Sequence, residues 1–136
     1  MDYKAVRYSL AMRVLAFGTF DGLHPGHRFY LDAALKRGEL FIVVALDETV
    51  QRIKGRMPRF NQRERKAAVE QAYPSAHVLL GESENYLLPV RRIAPELIVL
   101  GYDQELPPGV KNADLLCPTE RLEAFEPHKH KSSLKT

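Results

Sequence analysis

The sequence predicts an α/β fold with a mostly parallel, five-stranded sheet. Three observations carry it. Short apolar runs alternate with segments of helical spacing along the 136 residues. The first two runs, at 13–19 and 40–46, are joined by one amphipathic stretch and so form a βαβ unit, whose crossover is right-handed and whose strands are parallel. The second run is apolar without a break, the form of a strand covered on both faces.

Residues 1–12 carry no readable signal, and the first strand spans 13–19. From 25 to 37, Phe29, Leu31, Ala34 and Leu35 recur among polar residues, with Pro25 suited to a first helical turn and Gly38 to a stop. After the second strand, residues 47–60 read as a loop, followed by a helix over 61–73 with Asn61 as N-cap. A third strand is predicted at 76–80, where His77 reads as a strand-edge residue rather than a ligand. The helical stretch 84–94 is interrupted by Pro89, which implies a late start or a kink. A fourth strand at 96–100 ends in Gly101-Tyr102-Asp103-Gln104. A Pro-Pro-Gly loop at 107–109, a short helix at 111–117 and a last strand at 121–125 complete the sheet, before a polar, basic tail.

The length suits one domain over 1–136 with one core. Hydrophobic residues make up 45% and charged residues 27%, which excludes a disordered chain. The one cysteine, Cys117, excludes an internal disulfide and reads as a small apolar residue in a reducing compartment. With no signal peptide and no apolar run near ~18 residues, a membrane location is not expected and the cytoplasm is. A net charge of +3 is too mild to imply nucleic acid as partner.

The candidate site is Gly18-Thr19-Phe20-Asp21-Gly22-Leu23-His24-Pro25-Gly26-His27, between the first strand and the first helix. Strand, glycine-containing turn and helix present backbone N–H groups and a helix N-terminus to a phosphate. His24 and His27 flank one pocket there, each able to give a hydrogen bond or proton to phosphate oxygens. From Gln51 to Lys66 there are seven Lys/Arg and one Glu. A solvated helix face and a phosphate-facing surface both fit that run, which leaves a strand's carboxyl end where open α/β sheets place ligands. The turn at Gly101 lies on the same rim, with Asp103 either facing a ligand or capping a helix.

Neither a P-loop, a Gly-x-Gly-x-x-Gly fingerprint nor a Gly-x-Ser-x-Gly elbow is present. The absence of a Cys pair or His-Glu-x-x-His spacing weighs against a zinc site built from His24, His27, His128 and His130. The remaining groups suit direct displacement at phosphorus, which needs two phosphorylated substrates in line and donors for the developing charge. Lys54, Arg65 and the hydroxyls of Ser132 and Ser133 would add to the two imidazoles.

Gly18 to His27 resembles, with no mismatch, the signature Gly-Thr-Phe-Asp-x-x-His-x-Gly-His of the cytidylyltransferase-like nucleotidyltransferases. Asp47-Glu48-Thr49-Val50, Ile53-Lys54-Gly55-Arg56, Pro58 and Val99-Leu100-Gly101-Tyr102-Asp103-Gln104 resemble the archaeal FAD synthases in particular. The resemblance implies a Rossmann-like three-layer α/β/α sandwich, AMP transfer from ATP to FMN with release of pyrophosphate, a divalent metal such as Mg²⁺, and a homodimer.

The resemblance also assigns roles. His24 and His27 would bind the triphosphate and stabilise the transition state, Lys54 would face the acceptor's phosphate, and Arg65 would reach phosphate. Thr19, Phe20, Pro25 and Gly26 would line the ATP site through the first turn and helix start. Gly101, Tyr102 and Asp103 would hold the adenosine, and Ser132 and Ser133 the β- and γ-phosphates. Tyr86, Tyr102 and Phe60 are aromatic candidates for a flavin slot. Two departures stand out. His-Lys-His-Lys replaces the Arg-Thr-Glu-Gly-Ile-Ser of cytidylyltransferases, which argues against CTP. The chain also ends at Thr136, where relatives continue into a helix, so a loosely held Ser132–Ser133 site is expected. The signature itself fits other phosphorylated acceptors too, such as glycerol 3-phosphate, phosphopantetheine or a sugar phosphate, and also a non-catalytic nucleotide-binding module.

Overall fold

Among the described residues, five parallel strands in the order β3-β2-β1-β4-β5 form the centre of the molecule. They are β1 (Arg13–Gly18), β2 (Glu39–Val44), β3 (His77–Leu80), β4 (Leu97–Leu100) and β5 (Thr119–Arg121). The helices are α1 (Pro25–Leu35), α2 (Asp47–Lys54), α3 (Gln62–Ala72) and α4 (Leu87–Ile93), with a 3₁₀ turn at Asn112–Leu115. The computed structural model describes residues 11–124.

Alternation along each strand divides the core between two faces. Val14 and Ala16 of β1, Leu40, Ile42 and Val44 of β2, and Leu97 and Val99 of β4 meet α1 and α3 through Tyr30, Leu31, Ala34, Val69 and Tyr73. Leu15, Ile98 and Leu100 point the other way and meet Ile93 of α4 and Leu115. Each fully buried Leu or Ile contributes ~1.5–3 kcal/mol relative to exposure, and successive residues of β1, β2 and β4 divide between the two clusters, which defines three layers. The chain winds from β1 outward to β3, then returns to the other side of β1 as β4. That reversal is the topological switch point, beside which open α/β sheets bind ligands.

The structure departs from the sequence-based expectation in two places. The segment after β2 is not all loop: α2 occupies Asp47–Lys54, with Asp47 and Glu48 in its first turn, Arg52 and Lys54 in its last, and Gly55 at φ 78° closing it. Its charge placement matches the helix dipole, a stabilisation that the count of basic residues concealed. The last strand lies earlier than 121–125, because Ile98–Thr119 through Leu100–Arg121 set its register on β4. The expected five-stranded, largely parallel sheet is present, and among the described residues it is parallel at every pairing. Elsewhere the elements fall as expected: α4 starts late, two residues before Pro89, and His77 sits on edge strand β3, stacked on Phe41 and 2.8 Å from Glu39 Oε2.

Candidate active site

A cleft of about 1090 Å³ opens at the carboxyl ends of the strands, lined by Gly18 and Thr19 after β1, Ala45 and Leu46 after β2, Gly81 after β3 and Gly101 after β4. A smaller cavity of about 340 Å³ adjoins it, lined by Asp21, Arg56 and Arg59. Thr19, His24, His27 and Lys54 belong to both, so the residues expected to handle phosphate stand where the two spaces meet.

The start of α1 forms the first wall. His24 is its N-cap, and its Nδ1 accepts from the backbone N–H of Gly26 (3.1 Å) and His27 (3.3 Å). In return His27 Nδ1 accepts from the His24 backbone N–H at 3.3 Å. This is a capping box built from two histidines in place of the usual Ser/Thr and Glu. An Nδ1 that accepts carries no proton, so the hydrogen bonds assign the proton of both rings to Nε2. Each imidazole thus offers an N–H donor that the cap leaves unused. The rings stack at 3.6 Å. Burial, then the neighbouring His24 and Lys54, lower the pKa of His27 to about 4, against a smaller opposing effect of Asp21. His27 is therefore a neutral donor near pH 7.

Tight packing holds this wall. Pro25 occupies the first turn. A Cβ at Gly26 would stand 3.0 Å from His24 Cε1, so the glycine makes room for the capping ring. Phe20, at φ 55°, folds its buried ring under the turn, edge-on to His27 at 5.5 Å and stacked with Tyr30 at 6.4 Å. The same ring covers Gly18, whose Cβ would meet Phe20 Cζ at 3.0 Å.

The second wall is α2 and the segment after it. Lys54, exposed at the end of α2, faces both cavities. Asp21 ties this wall to the first: its carboxylate accepts from the backbone N–H of Arg59 (2.8 Å) and Phe60 (3.0 Å). Burial raises its pKa, but those two bonds and the charges of Arg59 and Arg65 outweigh it, and the pKa is lowered overall.

Arg65 corrects the expectation that it reaches phosphate. Its side chain is fully buried and lines neither cavity. Nε donates to the Phe60 carbonyl, Nη1 to the Thr19 carbonyl and Nη2 to Asp47 Oδ1, each at 2.8 Å. A planar fork with donors in three directions suits this junction: Arg65 fastens the first turn, the start of α2 and the approach to α3.

The third wall is the turn after β4. Tyr102 is exposed at the cleft, and Asp103 lines it without capping a helix. Arg121 Nη1 gathers the carbonyls of Gly101 (2.8 Å), Tyr102 (3.3 Å) and Gln104 (2.8 Å) from outside. Of the aromatic candidates, Tyr86 and Tyr102 line the large cleft, whereas Phe60 lies beneath Arg59 and lines neither cavity. Thr49 was given no role by its sequence position; it lies buried at the cleft floor, and its hydroxyl has no hydrogen-bond partner among the described residues. Ser132 and Ser133 lie outside the described residues. Cys117 packs against the β4 face, and burial pushes its thiol pKa up to about 11, which suits an inert apolar role.

A nucleotide-binding class of α/β protein is what a switch-point cleft edged by helix-capping histidines defines. Comparison with known proteins makes this specific: the cytidylyltransferase-like family model matches residues 15–130, and the chain belongs to that family. Among curated relatives, FAD synthase from Methanopyrus kandleri is 36% identical over 126 residues, covering 86% of this chain and 83% of that one. FAD synthase from Methanohalophilus mahii is 42% identical over 93 residues, covering 68% of this chain and 64% of the relative, just under two thirds of its length. Among solved structures, the lipopolysaccharide core biosynthesis protein from Thermoplasma volcanium GSS1 superposes with a TM-score of 0.73 at 32% identity, over 85% of this chain and 98% of that one. A protein of unknown function from Archaeoglobus fulgidus shares the fold, with a TM-score of 0.64 at 21% identity over 82% of this chain and 90% of that one.

Proposed function

We propose that the protein is an FMN adenylyltransferase, joining AMP from ATP to FMN and releasing pyrophosphate. The observation that carries it is the pair of Nε2–H donors of His24 and His27, set with Lys54 at the junction of two cavities. Displacement at phosphorus needs this: donors fixed before reaction and two chambers that hold the reactants in line. The FAD synthase relatives support FMN as acceptor.

In this reading a phosphate oxygen of FMN attacks the α-phosphorus of ATP. The bond from that phosphorus to the bridging oxygen breaks, and pyrophosphate leaves with the electron pair. His24 and His27 donate to oxygens whose charge grows in the transition state, and Lys54 offsets the acceptor's phosphate. Thr19, Phe20, Pro25 and Gly26 shape the triphosphate channel, and Gly101, Tyr102 and Asp103 form the adenosine wall. The half-buried Leu87, Val90, Leu106 and Val110, which line the α4 side of the cleft, supply an apolar slot for the isoalloxazine. Arg65 acts by holding the walls rather than by touching phosphate.

A divalent metal would neutralise the polyphosphate when bound. No group of three His, Cys, Asp or Glu converges among the described residues, so they do not build a resident site, and an ion carried by the nucleotide's phosphates fits better. The reading includes one domain over 1–136, a homodimer and a cytoplasmic setting. Among the described residues no helix is long and apolar enough to cross a membrane.

The test incubates the protein with Mg²⁺ and each of ATP and CTP, against FMN, glycerol 3-phosphate and phosphopantetheine, following pyrophosphate. Release with ATP and FMN alone, with FAD appearing, is expected. Release with another pair would reassign the substrates, and no release with any pair would sink the transferase reading.

A further inference from the structure

The sheet is joined differently on the two sides of β1. Toward β2 the ladder runs the whole strand, from Arg13–Glu39 to Gly18–Val44. Toward β4 it stops after Val14–Leu97 and Leu15–Ile98. In a parallel ladder the next step would pair Phe17 with Leu100, the Phe17 N–H giving to the Val99 carbonyl and the Gly101 N–H giving to the Phe17 carbonyl. Both of those bonds are replaced by side chains. The Phe17 N–H donates to the Tyr30 hydroxyl at 3.1 Å, and that hydroxyl donates to the Val99 carbonyl at 2.6 Å. The Gly101 N–H donates to Gln104 Oε1 at 3.0 Å, and Gln104 Nε2 donates to the Phe17 carbonyl at 2.6 Å.

We propose that Tyr30 and Gln104 are positioning residues that hold the β1–β4 seam open at its carboxyl end, so that the nucleotide meets a ready-made crevice between the first turn and the Gly101–Gln104 turn. The two side chains come from different elements, α1 and the loop after β4, yet occupy the two bonds of one ladder step. A buried tyrosine that only needed a partner for its hydroxyl would find one carbonyl. Here the hydroxyl both accepts and donates across the seam, and Gln104 does the same with its two amide atoms. All four backbone groups stay satisfied, so the strands part without an unpaired polar group. Both residues line the large cleft, and Arg121 braces the turn from outside through three of its carbonyls. Burial pushes the Tyr30 phenol pKa up, which keeps its proton in place as the donor to Val99.

This inference rests on the nucleotidyl-transfer reading, and the test separates the two. Binding of a non-hydrolysable ATP analogue is measured by calorimetry, and steady-state kinetics with ATP and FMN are followed for the wild type and for Tyr30→Phe, Gln104→Ala and Gln104→Glu. Thermal unfolding monitors the fold of each. Tyr30→Phe and Gln104→Ala should raise the analogue's Kd and the KM for ATP roughly tenfold, the equivalent of one or two net hydrogen bonds. The KM for FMN and kcat should stay within about twofold. Gln104→Glu keeps the acceptor for the Gly101 N–H but cannot donate to Phe17, and should fall between. ATP affinity within about twofold of wild type in Gln104→Ala and Tyr30→Phe would overturn the proposal, as would equal damage to both KM values and kcat. A wild type that binds ATP yet gives no FAD would remove FMN as acceptor while the Kd series still decides the seam. A wild type that binds no ATP would overturn both.

Discussion

Two walls of the cleft are built in opposite ways. The wall at the start of α1 is local: His24 and His27 cap each other across three residues, with Pro25 and Gly26 between them. The wall at Gly101–Gln104 is assembled from a distance. Gln104 reaches Phe17 across 87 positions, Tyr30 reaches Val99 across 69, and Arg121 reaches back 20 to Gly101. A locally built wall can form whenever its helix forms, whereas the other exists only when the whole sheet is in register. The proposed phosphate donors therefore sit on the part that depends least on the rest, and the proposed nucleotide seat on the part that depends most.

The most damaging single change predicted is at the local wall. His27→Ala removes one transition-state donor and should lower the rate of pyrophosphate release by a factor of order 10²–10³, measured as kcat with saturating ATP and FMN. Survival of full activity would deny the wall its catalytic part. Next is the point where the local wall is fastened to the rest. Arg65→Ala leaves the Thr19 and Phe60 carbonyls and Asp47 without their partner and should cost about 3 kcal/mol of stability, read from urea denaturation. Arg65→Lys should recover little of this, because an ammonium lacks the planar fork.

Acid probes the same wall with a smaller effect. His27 ionises at about 4 in the folded chain against an ordinary value of 6.5. Between those values the unfolded chain holds the extra proton, so stability contributed by neutral His27 is intact above about pH 6.5 and is lost as the pH falls toward 4. His27→Gln should flatten that part of the stability profile, followed by denaturant midpoints across the window. The smallest expected effect has two signs. Gly26→Ala improves helix propensity, so the unfolding temperature should hold or rise slightly. Its Cβ, however, crowds the His24 ring at 3.0 Å and nudges it within the cap, and ATP affinity should drop several-fold in the same protein. A fall in both would mean that the glycine serves the fold, not the cap.

The same contrast explains what could be read from the sequence. The α1 wall was legible because ten adjacent residues specify it, and the strands because period and apolar runs survive in one dimension. Helix α2 is hard to read because its cues are charges at its two ends rather than an apolar stripe, and only Thr49 and Val50 of its residues are buried. Arg65 lies in the region the basic run marks but turns inward to hold the walls. Nothing in a basic run says which arginine turns inward, since that depends on three acceptors contributed by residues 19, 47 and 60. Gln104 is legible only as the end of the Gly101–Gln104 turn and Tyr30 not at all, because their partners are backbone groups, which every residue carries.

The ring of Phe20 lies tight against the place of a side chain on Gly18, 3.0 Å from its Cβ. The two positions are thus one steric choice made twice, and neither can vary freely alone. An alanine at 18 would press on the Phe20 ring, and any shift of that ring disturbs the edge contact that steadies His27. The sequence can wander around this pair far more easily than through it.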